Sequence, residues 1–180
     1  MAIPAFRQEI TATFHDYKER LRRAVYDAPR VDPADSERLL MSSKQAAAAA
    51  AIPVPTLDPQ VIESVHGTPS DNGRIVHYLY PVENAHMLKY RSSVTMQTFG
   101  TPEVDESVHG FLRIAVPATG REGASVRAEA IHQARSALQY IADLNHQING
   151  FNAILENEAR ELFVRRFGEE EKRREFESQL

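Results

Sequence analysis

The sequence predicts an α+β fold, in which a small antiparallel sheet is flanked by an N-terminal helix pair and a long C-terminal coiled-coil-like helix. Apolar residues recur every three or four positions near the start of the chain and, more regularly, after residue 125, which is the period of a helix face. Between these regions, short segments rich in β-branched and aromatic residues are bounded by proline and glycine, which favours strands.

Four segments follow from these patterns, within a 180-residue length that suits one domain. They are an N-terminal helical segment at 1–51, a proline-rich connector and loop at 52–73, the small sheet at 74–117, and the long helical segment at 122–180. We expect the last segment to pack as one unit with residues 1–117.

The first segment predicts two helices. The first would run from Ile3 to Asp27 and end before Pro29, and the second would start at Asp32-Pro33 and continue through the alanine tract Ala46–Ala51. The tract favours helix by propensity but offers little side chain to pack, so we interpret it as a spacer. The apolar stripe of the first helix consists of Phe6, Ile10, Phe14, Tyr17, Leu21 and Val25.

The middle third predicts a short helix over Pro59–His66, a loop over Gly67–Gly73, and a sheet. Its strands are expected at Arg74–Tyr80, Ser92–Phe99 and Gly110–Val116, with Pro81 and Pro117 as stops. Three or more strands are needed because an isolated hairpin is only marginally stable in water.

The C-terminal segment carries the strongest helical pattern, a heptad-like seam that continues through Gly150, where we expect a possible bend. This seam predicts an interface with a second copy or another protein. The charged stretch after Gly168 predicts a junction with something further rather than a finished C-terminus. The predicted interface residues are Leu138, Ile141, Leu144, Ile148, Phe151 and Leu155.

Composition excludes several classes of protein. The chain has no cysteine, which excludes disulfide scaffolds, thiol nucleophiles and iron–sulfur clusters. Its 21 basic and 25 acidic residues give a net charge of −4, which disfavours a general nucleic-acid coat protein. Glu9 precedes any apolar core, and the uncharged run Gln45–Leu57 is too short to span a bilayer. We therefore expect a cytoplasmic protein with no membrane contact.

Known catalytic motifs are absent from the sequence, which makes an enzyme the less favoured interpretation. There is no nucleophile elbow, phosphate-binding glycine loop, zinc-protease helix or calcium loop. The seven histidines do not pair at metal-ligand spacing, and we expect neither a metal nor a cofactor. They are His15, His66, His77, His86, His109, His132 and His146.

Two alternative functions remain open. A small enzyme would have its site on the sheet, near His77, Tyr80, His86 and Arg91. A nucleic-acid-binding module would use basic helix faces, although acidic residues interleave them and a solvated or partner-pairing face is favoured. The basic residues of that alternative are Lys18, Arg22, Arg23, Arg165 and Arg166.

A resemblance supports a larger assembly. Residues 74–83 followed by 86–93 resemble a pattern in uncharacterised bacterial domains, in which a strand ends in an apolar-proline step and a Leu-Phe-x-Tyr-Arg-Pro-Ser motif follows. Residues 141–152 are similar to the helix of those domains, which carries an Ala-Phe-Asn element. The chain differs in having Ser92 where the pattern has proline and Glu83-Asn84-Ala85 where it has a glycine turn.

Such domains tend to precede TIR-like or nuclease-like effector modules in bacterial proteins suspected of antiviral defence, and the resemblance covers residues 74–180. Together with the seam and the missing catalytic motifs, it predicts a non-enzymatic intracellular module for sensing, scaffolding or oligomerisation. The expected partner is a second copy or another protein bound through the C-terminal helix, with nucleic acid disfavoured.

Overall fold

The α+β fold predicted from the sequence is confirmed by a computed structural model, which describes residues 2–93, 102–105 and 110–179. The contacts divide the chain into two compact units. The sheet unit comprises Met1–Ala12 and Pro53–Ile148, and the helical unit comprises Thr13–Ile52 and Asn149–Leu180. These units cut across the four sequence segments, because the first twelve residues join the sheet unit and the long helix is shared.

The N-terminal helix begins later than the sequence predicts. Helix α1 spans Phe14–Asp27, whereas residues before it form strands β1 (Ala2–Pro4) and β2 (Gln8–Glu9) and a short 3₁₀ helix, Ile10–Thr13. Phe6 has a left-handed φ of 55°, which a helix does not allow. Its N–H is donated to Leu88 O at 2.6 Å instead of to a helical carbonyl. The predicted start at Ile3 is therefore wrong, because long-range strand contacts replace the helical hydrogen bonds.

Six described strands form the main sheet, in which every pairing is antiparallel. After β1 and β2, the strands are β3 (Thr56–Leu57), β4 (Thr68–Ser70), β5 (Ile75–Glu83), β6 (Tyr90–Arg91), β7 (Glu103–Asp105) and β8 (Phe111–Pro117). The order of the main sheet is β1-β7-β8-β5-β3, with β4 also paired to β5, while β2 and β6 form a separate parallel pair.

Two of the three predicted strands are present, as β5 and β8, and they pair along their length from Ile75↔Pro117 to Pro81↔Phe111. Strand β5 continues past Pro81, because Val82 donates its own N–H to Gly110 O at 2.5 Å. The third predicted strand, Ser92–Phe99, lies outside the described residues from position 94 onward. The helix predicted over residues 59–66 is a series of turns.

Small side chains on the long helix let it lie close to the sheet. Helix α3 spans Gly123–Glu177, and its first half belongs to the sheet unit. It contributes Val126, Ala130, Ala134 and Ala137 to a core that also contains large sheet residues such as Tyr80. Short alanine side chains leave room for the aromatic rings, which is how a close-packed interior is filled.

The alanine tract packs in the helical unit and is not a spacer. Helix α2 spans Ser36–Ala50 and is capped by Asp35, whose carboxylate accepts the Arg38 N–H at 3.0 Å. Its buried face steps by four, three and four residues, which matches one side of a helix. The residues of this face are Leu39, Ser43, Ala46 and Ala50.

Helix α3 is continuous through Gly150 and Gly168, and its second half belongs to the helical unit. There the Phe151 ring stacks on Phe14 of α1 with centroids 4.3 Å apart. Within the described parts of the chain, no helix combines the length and the apolar character that crossing a membrane requires.

Candidate interaction surface on the sheet

The seam of α3, predicted as a partner interface, lies inside the protein's own fold. Five of its six side chains are at most 5% exposed, and Leu138 is partly buried against the core of the sheet unit. A side chain in that position contacts neighbours on its own chain while the protein is folded, so it offers no surface to a partner. The five are Ile141, Leu144, Ile148, Phe151 and Leu155.

The sheet instead presents a second surface, with apolar and polar residues, on the side away from its core. Successive side chains of a strand point to opposite faces, so Tyr78, Tyr80 and Val82 lie in the core while their neighbours point outward. We call the opposite side the outer face. It includes Ile75, His77, Leu79, Pro81 and Glu83 of β5, Phe111, Arg113, Ala115 and Pro117 of β8, and Glu103 of β7. The register also places Asp105 of β7, Thr68 and Ser70 of β4 and Thr56 of β3 on this side.

Leu79 lies near the middle of the outer face and is 44% exposed. Directly opposite it in the register is Arg113, whose guanidinium pairs with the Glu103 carboxylate at 3.3 Å. Antiparallel sheets with one solvated face usually place polar residues there. An exposed leucine at the middle of this mixed face is therefore the feature that a purely structural sheet would not need.

A cavity of about 430 Å³ adjoins the outer face and shares Pro81 and Glu83 with it. Asp58 brings a second carboxylate to its lining, and one of that side chain's oxygens accepts the Gln60 N–H at 2.9 Å. The cavity is therefore lined by both apolar and acidic side chains and lies at the edge of the outer face. The remaining lining residues are Thr56, Val61 and Val82.

His77 and Ser70 are hydrogen-bonded across β5 and β4, with Nε2 and Oγ 2.7 Å apart. His77 Nδ1 is buried without a hydrogen-bond partner. An unmet acceptor is tolerated more readily than an unmet N–H, so the favoured tautomer places the proton on Nε2. The Ser70 hydroxyl then accepts from His77 and donates to Ile75 O at 3.5 Å. In this arrangement His77 does not act as a base toward Ser70.

The four residues of the predicted enzyme site are not brought together. His77 points to the outer face, whereas Tyr80 is fully buried on the other side of the same strand. His86 is exposed on a 3₁₀ helix, Ala85–Lys89, and Arg91 pairs with Glu9 at 2.9 Å. These placements provide no shared pocket in which a substrate would meet all four groups.

Tyr80 also has no hydrogen-bond partner for its hydroxyl. Desolvation by burial raises the pKa of this phenol to about 12, and nearby Tyr78 adds to the effect. The phenol therefore stays protonated and neutral at neutral pH.

We expect Tyr80→Phe to keep or raise the free energy of unfolding, by up to about 1 kcal/mol, because it removes a buried polar group that makes no bond. Urea unfolding followed by circular dichroism measures the change. A loss of 2 kcal/mol or more, roughly the cost of breaking a buried hydrogen bond, would show that the hydroxyl has a partner.

The basic residues proposed for nucleic acid are largely neutralised or used structurally. Lys18 pairs with Glu158 at 2.7 Å. Arg22 and Arg165 line a cavity of about 300 Å³ in the helical unit, whose lining also includes Glu19, Glu158 and Glu161. Phosphate binding needs an excess of positive charge, and this mixed lining does not provide one. Arg23 is exposed on α1.

Arg166 has a structural role at the end of α1. It donates to Val25 O and Ala28 O at 2.7 and 2.8 Å, and its Nε donates to the Glu170 carboxylate at 2.8 Å. The hydrogen bond from Arg166 is the main cause that lowers the pKa of Glu170. A guanidinium with these three acceptors completes the C-terminus of the helix and is not available to phosphate.

No set of three or more histidine, aspartate or glutamate side chains in the described part of the chain could hold a metal ion. His109 and Glu106, two of the polar residues that precede β8, lie outside that part. Comparison with protein-family models, with curated proteins and with solved structures found no match. The resemblance to defence-associated domains therefore stays a prediction.

The outer face had a signal in the sequence. Apart from His77 and Arg113, residues 75–82 and 111–117 carry apolar or aromatic side chains at both alternate positions, which is typical of strands covered on both sides. The sequence predicts the interface on the helix instead, because the repeat of the seam is longer and more regular than the alternation in the strands.

Proposed function

We propose that the protein is a non-enzymatic interaction module, a scaffolding or oligomerising part of a larger assembly, and that it binds protein through the outer face. The observation that carries this proposal is the exposed Leu79 at the middle of the outer face. The exposed Pro81, Ala115 and Pro117 lie on the same face, and an exposed apolar group rimmed by polar residues is typical of a protein contact. The separated positions of His77, Tyr80, His86 and Arg91 favour binding over catalysis.

The test is a site-specific crosslink in cells that make the protein. A photoreactive p-benzoylphenylalanine replaces Leu79, and in a matched control it replaces His86, which is exposed in the same unit but off the outer face. We expect a protein adduct on irradiation from position 79 and none from position 86. No adduct from either position, or equal adducts from both, contradicts the proposal.

The intracellular, defence-associated setting is a separate proposal that rests on the resemblance of residues 74–180. Its test is the gene itself: an effector domain in the same reading frame, or encoded beside it, supports the setting. A neighbourhood of unrelated housekeeping genes contradicts it and leaves the binding proposal untouched.

A further inference from the structure

We infer that the partner binds through an extended segment carrying a lysine or arginine, and that this segment adds as a short strand to the open edge of β5 beside the outer face. The inference rests on the proposed function, because it names the part of the partner that reaches this surface. Three features support it, namely an unpaired stretch of β5, the direction of the backbone groups there, and the cavity beside them.

The sheet edge beside β5 is interrupted in its middle. Strand β4 pairs with residues 75–77, and β3 pairs with residues 82–83. Among the described residues, therefore, no strand pairs with residues 78–81 on the side away from β8. Ten residues, 58–67, join β3 to β4, where four would be enough to continue one strand past this gap. The gap has the length of a short strand.

The connection 58–67 does not close the gap with its own backbone. The hydrogen bonds that its backbone donates end on residues of the same connection, as with the Val61 N–H to Asp58 O at 3.2 Å and the Ser64 N–H to Val61 O at 3.0 Å. Its middle turns into the core instead, where Ile62 is 2% exposed. A strand edge left open in this way is a template for pairing with another chain.

The open backbone groups belong to Leu79 and Pro81. Along a strand, successive residues direct their N–H and C=O groups to alternate sides. Val82 directs its N–H to the β8 side, where it donates to Gly110 O at 2.5 Å. Leu79 and Pro81 therefore direct their groups to the open edge. Because proline has no N–H, the edge offers one donor and two carbonyl oxygens, which an extended segment can pair with as an added strand.

The cavity of about 430 Å³ lies beside this gap, and its lining indicates which side chain the segment carries. Pro81, Val82 and Val61 give it apolar surface, while Asp58 and Glu83 give it two carboxylates. Among the described residues, no lysine or arginine pairs with either carboxylate. The methylene stem of a basic side chain packs on apolar groups, and its charged end binds carboxylates. The net charge of −4 also attracts a basic segment.

The experiment selects peptides of about ten residues from a random displayed library on the full chain and measures their affinity by fluorescence anisotropy. We expect the selected peptides to share a lysine or arginine at one fixed position among β-branched residues. Methylating each backbone nitrogen of a selected peptide in turn should weaken binding at alternate residues, because only those residues donate to β5.

Two variants of the protein test the edge and the cavity separately. Leu79→Pro removes the one N–H at the open edge, and it should bind about tenfold more weakly than its matched control Leu79→Ala, which keeps that N–H. Asp58→Asn combined with Glu83→Gln should also weaken binding about tenfold, and it keeps the oxygen that accepts the Gln60 N–H. Glu122→Gln, which changes an exposed carboxylate elsewhere in the sheet unit, should bind normally.

The inference is overturned if the library yields no binding peptide, if the selected peptides share no basic residue, or if methylation does not weaken binding at alternate residues. It is also overturned if Leu79→Pro binds like Leu79→Ala, or if the double carboxylate variant binds like Glu122→Gln. Circular dichroism confirms that each variant is folded, and the methylated peptides test the edge should Leu79→Pro fail to fold.

The crosslink from position 79 separates this inference from the proposed function. A protein adduct at that position, when no basic extended peptide binds, overturns the inference while the proposed binding function stands. The absence of both overturns the two together.

Discussion

Replacing Gly110 with alanine is expected to lower the free energy of unfolding by about 2–5 kcal/mol, because the change adds backbone strain and a steric collision together. Gly110 has a φ of 63°, in the left-handed region that side chains disfavour. A Cβ at this position would lie 2.4 Å from Val82 O. The two backbones cannot separate freely, because Val82 donates its N–H to Gly110 O at 2.5 Å.

Gly120→Ala is the matched control for this prediction. Gly120 also has a positive φ, 71°, but nothing lies within 4 Å of the position its Cβ would take. Gly120→Ala should therefore lower the free energy of unfolding only by the cost of a positive φ in alanine, about 1–2 kcal/mol. Urea unfolding followed by circular dichroism compares the two variants. Equal losses of free energy of unfolding in the two variants would show that the collision of the new Cβ with Val82 O costs no stability.

The sequence predicted those elements whose partners are near in the chain or whose pattern is long. Helix α3 follows from a repeat sustained over many turns, and β5 and β8 follow from β-branched and aromatic runs bounded by glycine and proline. The first twelve residues could not be predicted in the same way. A spacing of four between Phe6 and Ile10 is compatible with a helix, but backbone hydrogen bonds from residues 5–7 to Leu88, Lys89 and Pro102 decide the conformation.

The connector at residues 52–55 is a second segment whose conformation depends on residues far away in the sequence. Its polar backbone groups are satisfied by asparagine side chains 30 to 100 positions away in sequence. Asn84 donates to Val54 O and Asn145 to Pro55 O, each at 2.9 Å. Asn152 binds both the N–H and the carbonyl of Ile52, also at 2.9 Å. Asparagines on the polar side of a helix look solvated in the sequence, so the local pattern does not reveal this role.

The candidate surface was predicted only in part. The sequence predicts the sheet only as the place of an alternative enzyme site, and it predicts the partner contact on the long helix. A heptad-like seam indicates that its side chains are buried, and it does not distinguish burial by a second chain from burial by the rest of the same chain. In this protein the same chain buries these side chains, and the outer face is the surface that we propose for a partner.

Replacing Ile148 with aspartate tests that distinction and should have the largest effect of any change considered. Ile148 is fully buried on α3. A carboxylate at this position would be buried without a partner, which costs about 4 kcal/mol or more and approaches the total stability of many domains. We expect a protein that is unfolded or close to it at room temperature, measured by circular dichroism and by the loss of a cooperative thermal transition.

Ile154→Asp is the control on the same helix, because Ile154 is 43% exposed and its carboxylate would stay in water. This variant should unfold within about 0.5 kcal/mol of the unmodified protein. Comparing Ile148→Asp with Ile154→Asp shows whether the seam is buried by the same chain or by a second chain. If Ile148→Asp were folded and had lost only its ability to bind a partner, the seam would be the partner contact, and the outer face would no longer be needed to explain binding. If it unfolds while Ile154→Asp stays folded, the seam builds the fold, and the outer face remains the surface proposed for a partner.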